Sequence, residues 1–598
     1  MHRRMNRNQG GMTTKDLPKS ISLKTIVRVW QEMAEKKGLL IIVLLFVMLS
    51  SALGIAGPYM IGHIIDGLIY ESNQFQLLPS LLILLMIYFF YSLTTFLQNY
   101  WMVGIAQNTV FRLRTRLFSH LQQLPIAYFD KRQHGELMSR ITNDMDNVSS
   151  TLNNSVIQIF SSILTLVGTL SVMLIMSPIL TLITLIIVPL MYVGMKWITN
   201  RTGRLFKEQQ RQLGQLNGFI EETVTGQKII KTFSQEDYVQ KEFEERAEKL
   251  REAGYWAQTY SGFIPKLMNM LNNLSFAIIA LLGGYFAFNG WVTIGVMVAF
   301  TEYARQFTRP LNDLANQFNT ILSAIAGAER VYDILDLPQE IEDEKHAQDL
   351  QKVVGKVEFH NVTFSYEKDG NTIQNASFIV QPGEMVALVG PTGAGKTTII
   401  NLLTRFYDAN QGTIYIDDRP ISSITRKSLR SHIGFVLQDV FLFEGTIKEN
   451  IRYGRLNATD EEVYEASRKA NAHSFIMRLP NGYDTVLSQD GSGISQGQKQ
   501  LLSIARAILR NPSILILDEA TSNIDTVTEI KIQEALHHLM KDRTTFVIAH
   551  RLNTILHADQ IFVLKEGRII ERGTHASLIQ QKGFYYQLTS GIHQELSS

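Results

Sequence analysis

The stretch Met385-Val386-Ala387-Leu388-Val389, Gly390-Pro391-Thr392-Gly393-Ala394-Gly395-Lys396-Thr397-Thr398, Ile399-Ile400-Asn401-Leu402-Leu403 decides how the second half of the chain folds. Its middle third fits the phosphate-loop pattern G-x-x-x-x-G-K-[ST], known as Walker A. An apolar, β-rich run precedes it and a helix-spaced run follows, which is the strand–loop–helix context the pattern needs. Glycines let backbone N–H groups curl round a phosphate, and the helix N-terminus adds partial positive charge. Lys396 is placed to reach the β- and γ-phosphates, and the Thr397 hydroxyl to bind Mg²⁺. The stretch therefore predicts an α/β domain that binds a nucleoside triphosphate through Gly390 to Thr398.

Other runs downstream supply the rest of such a sheet. Lys356 to Tyr366 alternates apolar and polar residues, a strand signal. Ser513 to Glu519 is a continuous apolar run tipped by two acids. It reads as a buried parallel strand with carboxylates at its C-terminal end, where α/β sheets place ligands. Asp518 fits a residue that holds Mg²⁺ through water, and Glu519 a general base that orients the attacking water. Thr545 to His550 is a similar strand tipped by histidine. Ile561–Leu564 and Arg568–Glu571 read as a hairpin joined at Glu566-Gly567.

The 598 residues exceed one ordinary core, so two or more domains are expected. A net charge of +2 points to no nucleic-acid partner, and the absence of cysteine excludes disulfides, thiolate metal sites and cysteine nucleophiles. The basic N-terminus is not followed by a short apolar stretch and cleavage site, so no cleavable signal peptide is expected. Hydrophobic content of 45% against 19% charged residues averages a membrane part with a soluble one.

The membrane part comes first. Leu39–Ile64, Leu77–Val110, Ser155–Ile198 and Leu267–Phe300 are apolar tracts. Each exceeds the roughly 20 residues that span a bilayer core. With turns at Ser177-Pro178 and Asn289-Gly290 they predict about six spans in three hairpins. Lys and Arg crowd the residues before the first span (Arg3, Arg4, Arg28, Lys36 and others) and the connections after the second and fourth. The connections near Ser72, Pro178 and Gly290 carry none, which places both termini in the cytoplasm. The connections Arg112–Asn154 and Asn200–Pro265 are long, charged and helix-forming, so the membrane helices are expected to extend into the cytoplasm. Leu23–Lys36 is amphipathic and fits either a helix on the membrane surface or a solvated one. His63 and Asp66 stand at the outer end of the first span, and Glu302 and Arg305 are read as following the sixth. Leu335–Lys352, acidic and containing Pro338, reads as a linker.

Taken together the chain resembles the ATP-binding cassette (ABC) family, specifically a half-transporter exporter, over nearly its whole length. The resemblance implies residues 1–38 as a cytoplasmic segment and 39–330 as a membrane domain of six helices with two intracellular coupling loops. Residues 331–352 form the linker and 353–598 the α/β cassette with a helical subdomain. It implies that Tyr366 stacks on adenine and that Gln438 contacts metal and water. Asp518 and Glu519 match Walker B and its base, Ser522 to Asp525 the D-loop, and His550 the histidine that touches the γ-phosphate. Tyr128–Lys131 with Gly135–Arg140, and Gly226–Phe233, resemble the coupling loops.

The family's signature, usually L-S-G-G-Q, is here Ile494-Ser495-Gln496-Gly497-Gln498. In the family it is presented to the γ-phosphate of ATP held by the other subunit. Gln496 replaces a glycine where close approach favours one. Leu501 stands where the family usually has arginine, and Val486, Ser488 and Asp490 depart from the stretch upstream. The resemblance with this departure implies a heterodimer. The chain would supply Lys396, Gln438, Glu519 and His550 to a competent site, and its altered signature to a weak one on a second half-transporter. The homodimeric lipid or drug exporter and the ATP-binding regulator without transport are the alternatives. A soluble cassette ATPase is disfavoured by the apolar half, and an importer by the fusion of both parts in one chain. ATP and Mg²⁺ are the implied cofactors, with membrane lipid and a hydrophobic cargo as the remaining partners.

Overall fold

The computed structural model describes the chain apart from residues 1–22, 71–75, 341, 345, 368, 369, 371, 489, 490, 492, 519–523, 550, 551 and 590–598. Arg3, Arg4, Ser72, Asp490, Glu519, Ser522, Asn523 and His550 lie outside the described residues. The chain divides into two compact units. One holds residues 1–123 and 133–337, the other residues 124–132 and 338–598.

The first unit is helical. In chain order the helices are α1 (Leu23–Met33), α2 (Lys37–Tyr70), α3 (Leu77–Leu121), α4 (Ile126–Asp130, which belongs to the second unit), α5 (His134–Ser139), α6 (Met145–Met176), α7 (Pro178–Thr225), α8 (Gln227–Thr232), α9 (Glu236–Phe288) and α10 (Ile294–Leu335). Six of them are long, from the 32 residues of α6 to the 53 of α9. At about 1.5 Å per residue the longest far outruns a bilayer core of about 30 Å, as the charged connections predict. Helices α2, α3, α6 and α9 each carry a stretch long and apolar enough to cross a membrane among the described residues. The apolar part of α7 is shorter, Pro178–Leu190. Helix α10 carries polar residues such as Gln306, Arg309 and Asp313 deep in its length, which lowers its hydropathy.

The turns fall where the sequence puts them. Ser177 caps α7, its hydroxyl accepting from the Leu180 N–H, and Pro178 takes the first helical turn. Asn289 ends α9, and Gly290 turns the chain at φ +75°. Helix α8 sits between Gly226 and Phe233, the span read as a coupling loop. Glu302 and Arg305, read as following the sixth span, are still helical. They lie inside α10, 3.6 Å apart, because the helix starts at Ile294 and runs on far past the apolar tract.

Asp66 caps α10 from a distance of more than two hundred residues. Its carboxylate accepts from the Thr293 hydroxyl at 2.5 Å and the Gly295 N–H at 2.7 Å. Beside it α2 and α10 touch backbone to backbone, since a Cβ on Gly295 would stand 2.0 Å from the Gly62 carbonyl oxygen. Helix α1 is tied down rather than freely solvated. Arg28 pairs with Asp336 at 2.6 Å and lies over the Tyr332 ring. Glu32 accepts from Arg116, Glu35 pairs with Arg112, and Met33 is buried. Its other flank exposes Val27 and Trp30.

The second unit holds the sheets. Its strands are β1 (Val357–Phe364), β2 (Ile373–Val380), β3 (Met385–Val389), β4 (Gln411–Ile416), β5 (Arg419–Pro420), β6 (Ile433–Val436), β7 (Gly445–Thr446), β8 (Val486–Leu487), β9 (Ile514–Asp518), β10 (Thr544–Ile548), β11 (Gln560–Lys565) and β12 (Arg568–Gly573). Its helices continue as α11 (Lys396–Leu403), α12 (Arg426–Ser431), α13 (Ile447–Arg452), α14 (Asp460–Lys469), α15 (His473–Ile476), α16 (Gln496–Arg510), α17 (Thr526–Met540), α18 (Leu552–Leu556) and α19 (His575–Gln581). The main sheet has the order β12-β11-β3-β10-β9-β6 and is parallel except at the β11–β12 hairpin.

Its central strands β3, β10 and β9 are largely apolar because both faces are covered. Ala387, Leu515, Leu517 and Val547 face a helical core with α13 to α17. Val386, Ile514, Ile516 and Phe546 face the antiparallel sheet β2-β1-β4-β5. The stretch read as a linker is fastened to this unit. Glu340 pairs with Arg430 at 2.5 Å, Asp343 with Arg426 at 2.9 Å, and Leu350 donates its N–H to Ser428.

The α2–α10 crossing is expected to tolerate no side chain. Gly295→Ala should cost about 1–3 kcal/mol of overpacking, and Asp66→Ala about 1 kcal/mol of lost capping. Thermal unfolding of the purified chain in detergent measures both. A Gly295→Ala protein as stable as wild type would refute the close packing.

Candidate nucleotide-binding site

Parallel pairing levels the strand ends. In register, Leu388 of β3 lies beside Ile548 of β10, and Ile548 beside Asp518 of β9. Val436 of β6 lies beside Leu517. The phosphate loop after β3, the chain after β10, Asp518 and Gln438 after β6 therefore emerge along one edge. Asp518 stands two strands from the loop, about 10 Å across at the usual strand spacing.

The loop has the shape of an anion cradle. Gly390, Gly393 and Gly395 adopt φ of +155°, +83° and +103°. Helix α11 begins at Lys396, so its first N–H groups point into the loop. The Lys396 ammonium is buried and donates to the Gly390 and Pro391 carbonyls at 2.6 and 3.1 Å. Burial pushes its pKa down, and the charge of Asp518 acts in the opposite direction. Thr397 is exposed, whereas Ala394 and Thr398 are buried. Pro391 and Thr392 are exposed along the loop's rim. Gln438 is exposed, and Asp518 half-buried. The hydroxyl of Thr397, the amide oxygen of Gln438 and the carboxylate of Asp518 make an all-oxygen donor set, which suits a hard divalent cation.

Tyr366 is partly exposed beside this loop. Its hydroxyl donates to Thr398 Oγ1 at 3.3 Å and accepts from Asn401 Nδ2 at 3.1 Å. Its ring meets Tyr407 edge-on, centroids 4.9 Å apart. The Tyr407 hydroxyl in turn donates to Asp130 of α4 at 2.7 Å. Burial and the Asp130 carboxylate both push the Tyr407 pKa up. The sequence reading singles out Tyr366 and Asp130 but not Tyr407, which stands in the unremarkable run Arg405-Phe406-Tyr407-Asp408.

The signature stretch begins α16. Ser495 is its N-cap, in a reciprocal capping box with Gln498. Gly497 is locked inside, since a Cβ there would meet Thr528 at 2.4 Å and Ile524 at 3.1 Å. Gln496 is exposed at the first helical position beside Ser495. Asp525 caps the neighbouring α17 through the Thr528 N–H, which holds its carboxyl below the ordinary range. Leu501 is buried in the helical core, and Val486 is exposed on β8.

Two family profiles match the chain. One, described as ABC transporter transmembrane region, covers residues 40–311, and the other, ABC transporter, covers 373–522. An uncharacterized ABC transporter ATP-binding protein, YfiC of Bacillus subtilis, is 62% identical over 94% of this chain and 93% of its own length. A fatty acid ABC transporter ATP-binding/permease protein of Mycobacterium tuberculosis is 46% identical over 81% of this chain and 76% of its own. The solved structure of a bacterial Atm1-family ABC exporter with ATP bound superposes with a TM-score of 0.73. It shares 30% identity and covers 93% of this chain and 98% of that one.

Tyr366→Ala should weaken ATP binding by about 1–3 kcal/mol if the ring carries a base, whereas Tyr366→Phe should lose far less. Equilibrium binding of a fluorescent ATP analogue to the purified chain compares them. Equal losses in both variants would shift the role from ring to hydroxyl.

Proposed function

The chain belongs to the ABC transporter family, a multi-pass exporter-type membrane region fused to an ATP-hydrolysing cassette, and we propose that it exports a hydrophobic or amphipathic cargo as one half of a heterodimer. Residues 39–330 form the membrane domain, 331–352 the linker and 353–598 the cassette, with both termini in the cytoplasm. The observation that carries the heterodimer is the contrast at the signature. Gly497 is demanded by packing within the chain, but Gln496 is exposed at the start of α16. Its consequence falls on whatever approaches from outside. In a head-to-tail pair that is the nucleotide of the other subunit.

The chemistry follows from the level strand ends. N–H groups of the loop and the Lys396 ammonium hold the phosphates, and Tyr366 holds the base. Glu519, directly after Asp518, orients the attacking water, and His550 touches the γ-phosphate. Thr397, Gln438 and Asp518 would hold a Mg²⁺ ion, which would supply positive charge beside the phosphate oxygens. Catalysis is then positioning and electrostatics. Tyr407 places α4 one ring away from the base-binding aromatic, which supports α4 as a segment that senses nucleotide. Helix α8 exposes Ile229, with Phe233 just beyond it, apolar surface suited to docking on the partner's cassette.

Glu519→Gln should lower ATP hydrolysis about a hundredfold or more while ATP stays bound. Gln496→Gly should change turnover far less, because it alters only the weak site. A near-normal rate in the first variant, or an equal collapse in both, would refute the assignment. The heterodimer is tested by purification. The chain alone should hydrolyse ATP feebly, and its co-expressed partner should restore the rate. A fully active homodimer would overturn it.

A further inference from the structure

The run Arg405-Phe406-Tyr407-Asp408 follows α11 and is pinned on both sides of Tyr407. Arg405 is buried, and its guanidinium donates to the Ile421 and Ile424 carbonyls, each at 3.1 Å, and to Asp408 at 3.0 Å. The other carboxylate oxygen of Asp408 accepts from the buried Arg426 at 3.1 Å. Phe406 lies under the Arg430 guanidinium and donates its N–H to the Asn401 carbonyl at 2.9 Å. The backbone at Tyr407 is therefore fixed from both sides, and the freedom left to this residue is in its side chain.

That side chain joins two elements far apart in sequence. At its tip the hydroxyl donates to Asp130 of α4 at 2.7 Å, a charge-assisted bond. Its ring meets Tyr366 at 90° with centroids 4.9 Å apart, and Phe364 at 63° and 5.5 Å. Phe364 is a buried core residue and also meets Tyr366 edge-on, at 4.9 Å. Tyr366 thus has one neighbouring ring fixed by the core and another tethered to α4. Its hydroxyl is held by Asn401 and Thr398 of α11. All of these residues, α4 included, belong to the second unit. A ring oriented in advance loses less entropy when a base stacks on it.

We propose that Tyr407 is a positioning residue for the nucleobase: held by Asp130, its ring keeps Tyr366 in the orientation that stacks on adenine. The grip on the base then depends on α4, whereas the grip on the phosphates, made by the loop N–H groups and Lys396, does not. By linkage, a base in place favours the α4 position that Tyr407 holds. The inference rests on the reading of Tyr366 as the base-binding ring and adds the regulation of that site.

The test compares binding of radiolabelled ATP with that of inorganic tripolyphosphate, both with Mg²⁺, to the full-length chain in phosphatidylcholine nanodiscs. Tripolyphosphate can occupy the phosphate loop but has no base. Tyr407→Ala should weaken ATP about threefold to tenfold, the range of one edge-on ring contact, and leave tripolyphosphate unchanged. Tyr407→Phe and Asp130→Ala each remove the hydrogen bond and keep the ring. Each should give a smaller loss for ATP, and the double variant should lose no more than either single one. In steady-state hydrolysis the loss should fall on KM, with kcat kept. A loss shared equally by ATP and tripolyphosphate would make Tyr407 a packing residue and overturn the proposal, as would wild-type ATP affinity in Tyr407→Ala. Wild-type affinity in both hydrogen-bond variants, or additive losses in the double variant, would overturn the dependence on α4. Should Tyr407→Ala fail to fold, those two variants decide by the same contrast between ATP and tripolyphosphate. Tyr366→Ala in the same assay separates the two readings. If it loses no ATP affinity relative to tripolyphosphate, the base-binding assignment falls and the proposal with it. If it does lose affinity while Tyr407→Ala does not, the proposal falls alone.

Discussion

The phosphate loop is held between two sheets by backbone contacts that leave no room for a side chain. A Cβ on Gly390 would stand 2.2 Å from the Leu564 carbonyl oxygen at the end of β11. One on Gly395 would stand 2.6 Å from Ile373 Cδ1 and 3.0 Å from the Thr372 carbonyl. Both glycines also sit at positive φ, where an L side chain is strained. The cradle for phosphate is therefore set by its neighbours in the main sheet and the antiparallel one. Its position relative to Asp518 and Gln438 follows from the parallel register of β3, β10, β9 and β6.

The same kind of constraint recurs in the helical unit with different chemistry. Where α2 and α10 cross, Gly62 and Gly295 bring two backbones together, and Asp66 accepts from the Gly295 N–H and the Thr293 hydroxyl at the start of α10. Small residues and a half-buried cap fix that end of the bundle. Further along the same two helices the packing opens into a polar chamber around Arg309. Tight glycine contact at one end and polar side chains deeper in give one helix pair both a close crossing and a polar cavity.

Much of this was legible. Periodicity and the runs of charge located about six spans, the turns at Ser177 and Asn289 and the hairpin at Glu566-Gly567, and the family resemblance located the segment at Gly226–Phe233. These are local patterns, and local physics produces them. The readings that fell short involved partners remote in sequence. Asp66 read only as a charge at the outer end of the first span, and the structure makes it the cap of α10. Glu302 and Arg305, read as following the sixth span, lie inside α10, which runs on far past the apolar tract. Tyr407 carried no motif, since its meaning is its position between Tyr366 and Asp130.

By itself the sequence determined the parts. The loop Gly390–Thr398 requires an anion because glycines followed by a helix start leave donors that nothing else in the strand–loop–helix unit can satisfy. The apolar tracts require a membrane because nothing shorter than a bilayer explains their length. It also exposed the substitution at Gln496, since a motif is read residue by residue. Only the tertiary structure decided which residues meet. It separated Gly497, fixed by contact with Thr528, from Gln496, which faces outward, although the two are adjacent in the chain. It gathered Ser51, Ser162 and Arg309 from three helices around one cavity. The reason is that hydrogen bonds and steric contact act over a few ångströms of space, and sequence distance does not measure that space.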